Sequence, residues 1–384
     1  MKNSNPRDHS LPLKAFRTYL QYVNSGLYFK KEHVLGLENV PVNGTPTVIV
    51  SNHQNCLNDP LCVCLQLTDR RMNFLARANV FNNPFFNKAL RAMGLLPAYR
   101  MGHEGLAHVR RNSETFEDAG KALTDGETVM LYPEAGHQDK RWLGTFKLGY
   151  LRIAFAAAEK MNFEKDVMIL PSCNHYSNYF HARTEMLIKF GKPVSLKPYY
   201  ERYKEEPRAT MMEINKIVHS EIKEMMLHVD DLEHYDQIDW LRENEFGKMY
   251  AKTHGFKFNY LPSRLLSDQK LVDALQKATE EHPEEMENIY KDIKTLSEGI
   301  KELNSCLCGC CYWCKSTLIV ASVYSFVKLF SRYKISKSGK CRETLRANKR
   351  VISVVGQRLR KKKLLCHIHV LVCSYVKRIS IGQH

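Results

Sequence analysis

Short apolar runs that alternate with helical patterns are the main feature of the first half of this 384-residue chain. Residues 46–51 read PTVIVS, a β-branched run that is too short for a helix and predicts a buried strand. Four similar runs predict strands at residues 73–76, 128–132, 167–171 and 186–190. Helical patterns fall between them, near residues 82–93, 113–124 and 145–160. This alternation predicts an α/β domain with a largely parallel sheet flanked by helices.

Helical spacing also marks both flanks of this region. Residues 1–30 place five apolar side chains at helical spacing beside several lysines and arginines, and they predict an amphipathic helix. After residue 207 the pattern becomes helical again, with one stripe from Met212 to Ile222 and another from Met286 to Ile300, and it predicts a C-terminal helical extension. Such faces pack on the protein's own core or, for the basic opening helix, contact an anionic bilayer.

Charge and cysteine divide the chain near residue 305. Residues 305–384 hold 17 Lys and Arg, one acid and eight of the 12 cysteines, whereas the first 304 residues hold forty bases and forty acids. We therefore divide the sequence into an amphipathic segment (1–30), a catalytic domain (31–245), a helical extension (246–304) and a basic, Cys-rich tail (305–384). The opening residues show no signal-peptide pattern, so we expect the body to face a reducing, cytosolic solution.

The basic tail is open to several interpretations. Its cysteine cluster at 306–314 has no well-spaced second ligand group, so it does not indicate a zinc site, and we expect no metal. The RLRKKK run at 358–363 lacks an accompanying recognition fold, so attraction to anionic lipid headgroups is a better explanation than nucleic-acid binding. A shifted reading frame or a mis-joined gene model also produces such a composition. No run of 18 uncharged apolar residues predicts a membrane span.

Four short motifs stand in a fixed order within the predicted α/β region. They are NHQNCLNDP at 52–60, GLLPAYR at 94–100, YPEAG at 132–136 and VMILPS at 167–172. Three of them overlap or directly follow a predicted strand. Because sites in open α/β sheets form where strand ends meet loops, we expect the motifs to cluster in space.

In this order the motifs resemble the four blocks of the glycerolipid acyltransferase superfamily, whose members acylate glycerol-3-phosphate and lysophosphatidic acid. The resemblance covers residues from about 40 to about 200. It implies a donor substrate that is an acyl-CoA or an acyl-carrier-protein thioester and an acceptor of the glycerol-3-phosphate type. It also implies direct transfer without a cofactor, a metal or a covalent acyl-enzyme. We expect the protein to be membrane-associated at the cytoplasmic face.

His53 and Asp59 are the candidate catalytic pair. Esterifying a hydroxyl requires a base that removes its proton, and an imidazole suits this near neutral pH. An acid on the second ring nitrogen fixes the tautomer and stabilises the imidazolium. Much of the superfamily has the spacing H-x4-D, but here Asn58 occupies that place and Asp59 follows it. The resulting H-x5-D resembles the variant found in some fungal glycerol-3-phosphate acyltransferases.

Arg100 is the candidate phosphate-binding residue, because it ends the block that matches the family's G-x-x-x-x-x-R. A guanidinium binds phosphate through a bidentate fork. Arg91, Arg110 and Arg111 are alternative arginines, but they do not stand at the end of that block.

The remaining candidates for substrate binding are Glu134, Gly136, Lys147 and Pro171. In the YPEAG block, Glu134 is expected to accept from the acceptor's hydroxyl or to hold a phosphate-binding residue. His137 stands where many family members carry an arginine, and Lys140, Arg141 or Lys147 could replace its charge. The resemblance implies that Pro171 ends a strand and shapes the acyl-donor pocket.

Two other functional classes remain open from the sequence. A hydrolase of the α/β type needs a nucleophile, and the chain has no G-x-S-x-G elbow. A non-catalytic lipid-binding or membrane-binding protein on the same fold would keep the basic and apolar surfaces without needing His53. The sequence distinguishes poorly between glycerol-3-phosphate and lysophosphatidate, and it sets neither acyl length nor oligomeric state.

Overall fold

The computed structural model describes residues 28–55, 58–81, 94–98, 106–134, 140–179 and 183–307, together with Thr18, Gln21 and Gly136. These residues belong to two compact units, one within Met1–His228 and one within Val229–His384. Three predicted features lie outside the described residues: most of the opening helix, the helix near 82–93, and the tail beyond Leu307. The functional division at residue 245 stays a prediction.

The first unit is built on an eight-stranded sheet of the described residues. Its strands are β1 (Phe29–Leu35), β2 (Thr47–Ser51), β3 (Met72–Arg77), β4 (Leu95–Ala98), β5 (Thr128–Leu131), β6 (Met168–Tyr176), β7 (Thr184–Phe190) and β8 (Val194–Ser195). They follow the order β1-β7-β6-β2-β5-β3-β4, with β8 beside β6. Only β6 runs antiparallel to its neighbours β7 and β8 among the described pairs, and the other pairings are parallel. The predicted, largely parallel α/β sheet is confirmed.

Helices flank the sheet and make up the second unit. Those of the first unit are α1 (Asn58–Gln66), α2 (Leu106–Thr124), α3 (Gly149–Lys160), α4 (Tyr200–Glu205) and α5 (Pro207–Met225). Those of the second unit are α6 (Tyr235–Glu243), α7 (Glu245–Thr253), α8 (Leu261–Glu281) and α9 (Pro283–Leu307). The predicted C-terminal helices are therefore present, whereas α1, β1 and β4 were not anticipated. In the part of the chain that is described, no helix is long and apolar enough to cross a membrane.

Strand β2 is buried on both faces and fixes the position of the residues that follow it. Val48 and Val50 pack into an apolar cluster that includes residues of α2, α3 and α5. Ile49 points to the opposite side, into a second cluster with Val63 of α1 and Ile188 of β7. Burial on both faces is typical of a central parallel strand and explains the uninterrupted apolar run in the sequence. The chain therefore leaves the sheet at Ser51 in a well-determined direction.

The second unit contains a fully buried arginine between helices. Arg242 donates to Asp268 at 2.8 Å and to Asp239 at 2.7 Å, and its side chain is 1% exposed. Gly247 lies against it, because a Cβ at this position would come within 2.0 Å of the Arg242 carbonyl oxygen. Removing one partner of such a buried pair leaves an uncompensated charge, so this cluster ties α6 to α8.

His234 joins the start of α6 to α9. Its Nδ1 lies 2.8 Å from Asp231 and its Nε2 lies 3.0 Å from Glu287, while its ring stacks on Tyr290 at 4.3 Å. Burial lowers the pKa of His234, but the hydrogen bonds and charges of Asp231 and Glu287 outweigh burial and raise the pKa above its ordinary 6.5. The protonated ring therefore stabilises the folded second unit.

We predict that His234→Gln destabilises the second unit in a pH-dependent way. Because the pKa is raised on folding, the stabilisation by His234 is fully present below the ordinary pKa and is lost as the pH rises through the folded pKa. The difference in protection between wild type and variant should be larger at about pH 6 than at about pH 9, as measured by hydrogen exchange of α6 and α9.

His254→Gln is a matched control for this experiment. Its ring also stacks on a tyrosine, Tyr250, at 4.1 Å, but its Nδ1 contacts a backbone carbonyl rather than a carboxylate. It controls for the loss of an imidazole that stacks on a tyrosine. An equal effect of His234→Gln at both pH values would contradict the assignment.

Candidate active site

Three neighbouring strands end at the same edge of the sheet and supply the site. Strand β2 pairs in parallel with β5 on one side and with β6 on the other. Their carboxyl ends lead into Asn52 and His53 after β2, into Tyr132 to Glu134 after β5, and into the last residues of β6. Because carboxyl ends of parallel strands meet at one edge, polar side chains that are far apart in sequence converge here.

The carboxylate of Asp59 is the centre of this group. It is fully buried, and its Oδ2 accepts from His53 Nδ1, Gln54 N and Asn55 N, each at 2.8 Å. Its Oδ1 accepts from the Tyr176 hydroxyl at 2.6 Å. A buried carboxylate that receives four donors acts as an acceptor, so it holds the proton of His53 on Nδ1 and leaves Nε2 as the basic nitrogen.

The H-x5-D spacing is accommodated by hydrogen bonds between Asn55 and Asn58, at the start of helix α1. Asn58 donates from its backbone to Asn55 O at 2.9 Å and from its side chain to Asn55 Oδ1 at 3.2 Å. Asp59 therefore lies in the first turn of α1, where the helix dipole favours a negative charge. The structure places Asp59, and not Asn58, on the imidazole of His53.

Two further contacts fix the backbone and the ring of His53. The ring stacks on Tyr132 with centroids 4.2 Å apart, and one fifth of the His53 side chain is exposed. The preceding Asn52 forms a reciprocal pair with Asn174, donating to its carbonyl at 3.0 Å and accepting from its amide at 2.8 Å. These bonds join the end of β2 to β6, and they leave the imidazole accessible from one side.

Glu134 connects two loops through backbone amides. Its Oε1 accepts from His53 N at 3.1 Å, and its Oε2 accepts from Gly144 N at 2.8 Å. Burial raises the pKa of Glu134, although these two amides act in the opposite direction. Lys147 N also donates to Pro133 O at 2.9 Å. Both carboxylate oxygens of Glu134 thus hold the loop of His53 against segment 140–147.

The other predicted site residues are less closely grouped. Gly136 is partly exposed, with open space where a Cβ would lie, and the Lys147 side chain is exposed. Pro171 is buried within β6, opposite Val50 of β2. Arg100 lies outside the described residues. The described structure therefore brings together the side chains of His53, Asp59 and Glu134 and the backbone of Lys147.

Comparison with known proteins agrees with this geometry. Residues 31–174 match the family model described as Acyltransferase. Those residues therefore resemble an acyltransferase domain. The chain is 31% identical over 126 residues to the chloroplastic 1-acyl-sn-glycerol-3-phosphate acyltransferase LPAT1 of Arabidopsis thaliana, a match that covers 33% of each chain. It is 29% identical over 106 residues to glycerol-3-phosphate O-acyltransferase 2 of Saccharomyces cerevisiae, covering 27% of this chain and 14% of that protein.

The matches to curated relatives cover only part of those proteins. The chain spans about a third of the length of the plant acyltransferases, which include BAT2 of Brassica napus at 31% identity over 126 residues. Among solved structures, the chain resembles the 1-acyl-sn-glycerophosphate acyltransferase PlsC of Thermotoga maritima with a TM-score of 0.40 and 20% identity, over 55% of this chain and 79% of that one.

Several residues of the candidate site are not indicated by any pattern in the sequence. Arg141 is 2% exposed and donates to Tyr179 Oη at 3.1 Å and to Tyr176 O at 3.3 Å. The Tyr179 hydroxyl in turn donates to Gln54 Oε1. From the sequence, Arg141 was a candidate only as a replacement for a missing charge. Tyr176 and Tyr179 had no predicted role. Their contacts join positions more than 100 residues apart, which local patterns do not reveal.

Tyr132 carries a hydroxyl that is buried without a hydrogen-bond partner among the described residues. Burial, followed by the charges of Asp59 and Cys62, raises its pKa well above 10, so it stays protonated. The family block has phenylalanine at this position. We predict that Tyr132→Phe raises the free energy of unfolding by about 1 kcal/mol, because it removes a desolvated and unsatisfied group. Urea denaturation measures the change.

Tyr150→Phe is the matched control for this prediction. Tyr150 is buried in the same unit, but its hydroxyl donates to Asn215 Oδ1 at 3.0 Å. Removing that hydroxyl should lower the free energy of unfolding, because Asn215 loses a partner. A loss of stability in Tyr132→Phe as large as in Tyr150→Phe would contradict the assignment of an unpaired hydroxyl.

Proposed function

We propose that this protein transfers a fatty acyl group from an acyl thioester to the hydroxyl of glycerol-3-phosphate or 1-acylglycerol-3-phosphate. The observation that carries the proposal is the bond of 2.8 Å between the buried Asp59 carboxylate and the partly exposed imidazole of His53. This pair lies at the carboxyl end of β2 within the domain that matches the acyltransferase family. It supplies a base without supplying a nucleophile.

The arrangement supports direct attack by the acceptor. With the proton of the imidazole held on Nδ1 by Asp59, Nε2 accepts the hydroxyl proton as the acceptor oxygen attacks the thioester carbonyl carbon. The tetrahedral intermediate then expels the thiolate, which takes the proton from Nε2, and an ester and a free thiol result. Asp59 stabilises the imidazolium during this cycle. Backbone amides or a basic side chain stabilise the oxyanion.

The acceptor phosphate requires a cation near His53. Arg100 is our candidate by its place in the GLLPAYR block. Lys147 is a second basic residue, since its backbone is bonded to the loop of Glu134 and its side chain is exposed. Glu134 contributes by holding the loops together rather than by offering a free oxygen. The Arabidopsis and yeast relatives carry the names of enzymes for one acceptor each, so both acceptors belong to the proposal.

The donor and the cellular setting complete the proposal. We propose an acyl-CoA or an acyl-carrier-protein thioester as donor, with Pro171 lining its pocket and with no cofactor. Attachment to the cytoplasmic face of an anionic membrane is proposed from the basic amphipathic pattern of residues 1–30 and the charge of residues 305–384.

We predict that His53→Ala lowers the rate of acyl transfer by about 10²–10⁴-fold, because general-base catalysis is lost. Asp59→Asn should also reduce the rate severely, since an amide does not stabilise the imidazolium. The assay offers purified protein both acceptors with both donor types and follows the acylated product.

His33→Ala is the matched control for the activity assay. His33 also pairs with a carboxylate, Glu185, at 3.3 Å, and it lies on β1 away from the site. Its replacement should leave the rate within a few-fold of wild type. Activity of His53→Ala in that same range would remove His53 from the mechanism. A wild-type protein inactive with all four substrate pairs would contradict the proposed function and favour a lipid-binding role.

For Arg100, we predict that Arg100→Ala mainly raises the KM for the phosphorylated acceptor. Arg100→Lys should restore little, because lysine lacks the bidentate fork. The KM of the acceptor is measured at saturating donor, and Arg152→Ala, at an exposed position on α3, is the control. An unchanged acceptor KM in Arg100→Ala would shift the phosphate assignment to Arg141 or Lys147.

A further inference from the structure

We propose that Tyr176 is a positioning residue for the His53–Asp59 pair: its hydroxyl fixes the Asp59 carboxylate and moderates the basicity of His53. The inference rests on the proposed function, in which His53 is the base. Tyr176 lies at the end of β6, outside all four motifs, and the resemblance to the superfamily gives it no role.

The hydrogen bond of Tyr176 differs from the others that Asp59 receives. The three donors on Oδ2 come from residues 53–55, within six positions of Asp59. Among the described residues, Tyr176 is the only donor to Oδ1, and it is separated from Asp59 by 117 positions in the sequence. The distance of 2.6 Å is typical of a hydroxyl that donates to a carboxylate. This bond therefore fixes the rotation of the Asp59 carboxylate relative to the imidazole.

The ring of Tyr176 is held so that its hydroxyl has little freedom. The side chain is fully buried and stacks on Phe29 of β1, with centroids 5.9 Å apart and an interplanar angle of 28°. The ring of Tyr179 packs edge-on against the ring of Tyr176, with centroids also 5.9 Å apart. Arg141 donates to the Tyr176 carbonyl at 3.3 Å and so fixes the backbone. A donor held in this way is preorganised.

Tyr176 remains a donor across the working pH range. Burial, followed by the negative charge of Asp59, raises the pKa of Tyr176 well above its ordinary 10. The hydroxyl therefore keeps its proton while His53 titrates.

The direction of the expected effect follows from the charge on Asp59. A hydrogen bond at Oδ1 draws negative charge away from the oxygen that faces His53. Without that bond, Asp59 should stabilise the imidazolium more strongly, and His53 should hold its proton to a higher pH. The other titratable groups around the pair are retained in every variant: Tyr132 and Glu134 after β5, Cys62 on α1, Cys173 on β6, and Arg141 beside Tyr179.

The test follows the titration of His53 in the full chain by NMR of ¹⁵N-labelled histidine. In Tyr176→Phe, the midpoint of the His53 titration should rise by about 0.5–1 pH unit. The acidic limb of the kcat/KM profile should move in the same direction. Tyr150→Phe, which removes a buried and bonded hydroxyl far along the chain in α3, should leave the midpoint unchanged.

A second replacement keeps the shape of the side chain and reverses the sign. Incorporation of 3-fluorotyrosine at position 176 makes the hydroxyl a stronger donor, so the midpoint should fall below that of wild type. This arm decides the question if Tyr176→Phe does not fold. An unchanged midpoint in the folded variants would overturn the role of Tyr176. If wild type shows no acyl transfer, the proposed function fails, but the titration still tests Tyr176.

Discussion

The burial of one carboxylate, Asp59, is the constraint on which the rest of the site depends. A buried charge is costly unless donors surround it, and Asp59 meets this requirement with two backbone amides, an imidazole and a phenol. Satisfying it holds residues 53–55 against the first turn of helix α1. The same requirement brings the end of β6 over that turn. The position of His53 is thus a consequence of the hydrogen-bond donors that the protein supplies to Asp59.

A second carboxylate extends the same principle to the neighbouring loops. Glu134 accepts from the backbone of His53 and of Gly144, and so it joins three segments without an exposed ion pair. Asn52 and Asn174 bind each other reciprocally across β2 and β6. These hydrogen bonds join backbone groups to side chains that lie within the fold, and they hold the site residues in place. The imidazole stays partly exposed because the network holds its backbone and Nδ1 while leaving one side open.

The sequence predicted the features that depend on local pattern. The β-branched run before Asn52 predicted β2, and the H-x5-D spacing predicted the contact partner of His53. Helix α1 was not predicted, because NDPLCVCLQ contains an early proline. Strand β1 was missed because FKKEHVL carries charges and forms a strand through its pairing with β7. Strand β4 was not predicted either, because its residues belong to the GLLPAYR motif. The strand begins directly after Gly94, whose φ is 85°.

Roles that arise only from tertiary contact were beyond the sequence. Tyr176, Arg141 and Tyr179 carry no local signal, since each acts on a partner far away in the chain. Glu134 was predicted to accept from the acceptor's hydroxyl or to hold a phosphate-binding residue, but the YPEAG block does not say what its oxygens touch. In the structure both oxygens accept from backbone amides.

The protonation of the two ring nitrogens of His53 tests the central claim most directly, namely that Asp59 prepares the imidazole to act as a base through Nε2. Long-range ¹H–¹⁵N NMR spectra of the neutral imidazole distinguish the two tautomers. The structure predicts a proton on Nδ1, directed at Asp59, and an unprotonated Nε2, and Asp59→Asn should abolish this preference. A neutral His53 with its proton on Nε2 in the wild-type protein would contradict the claim.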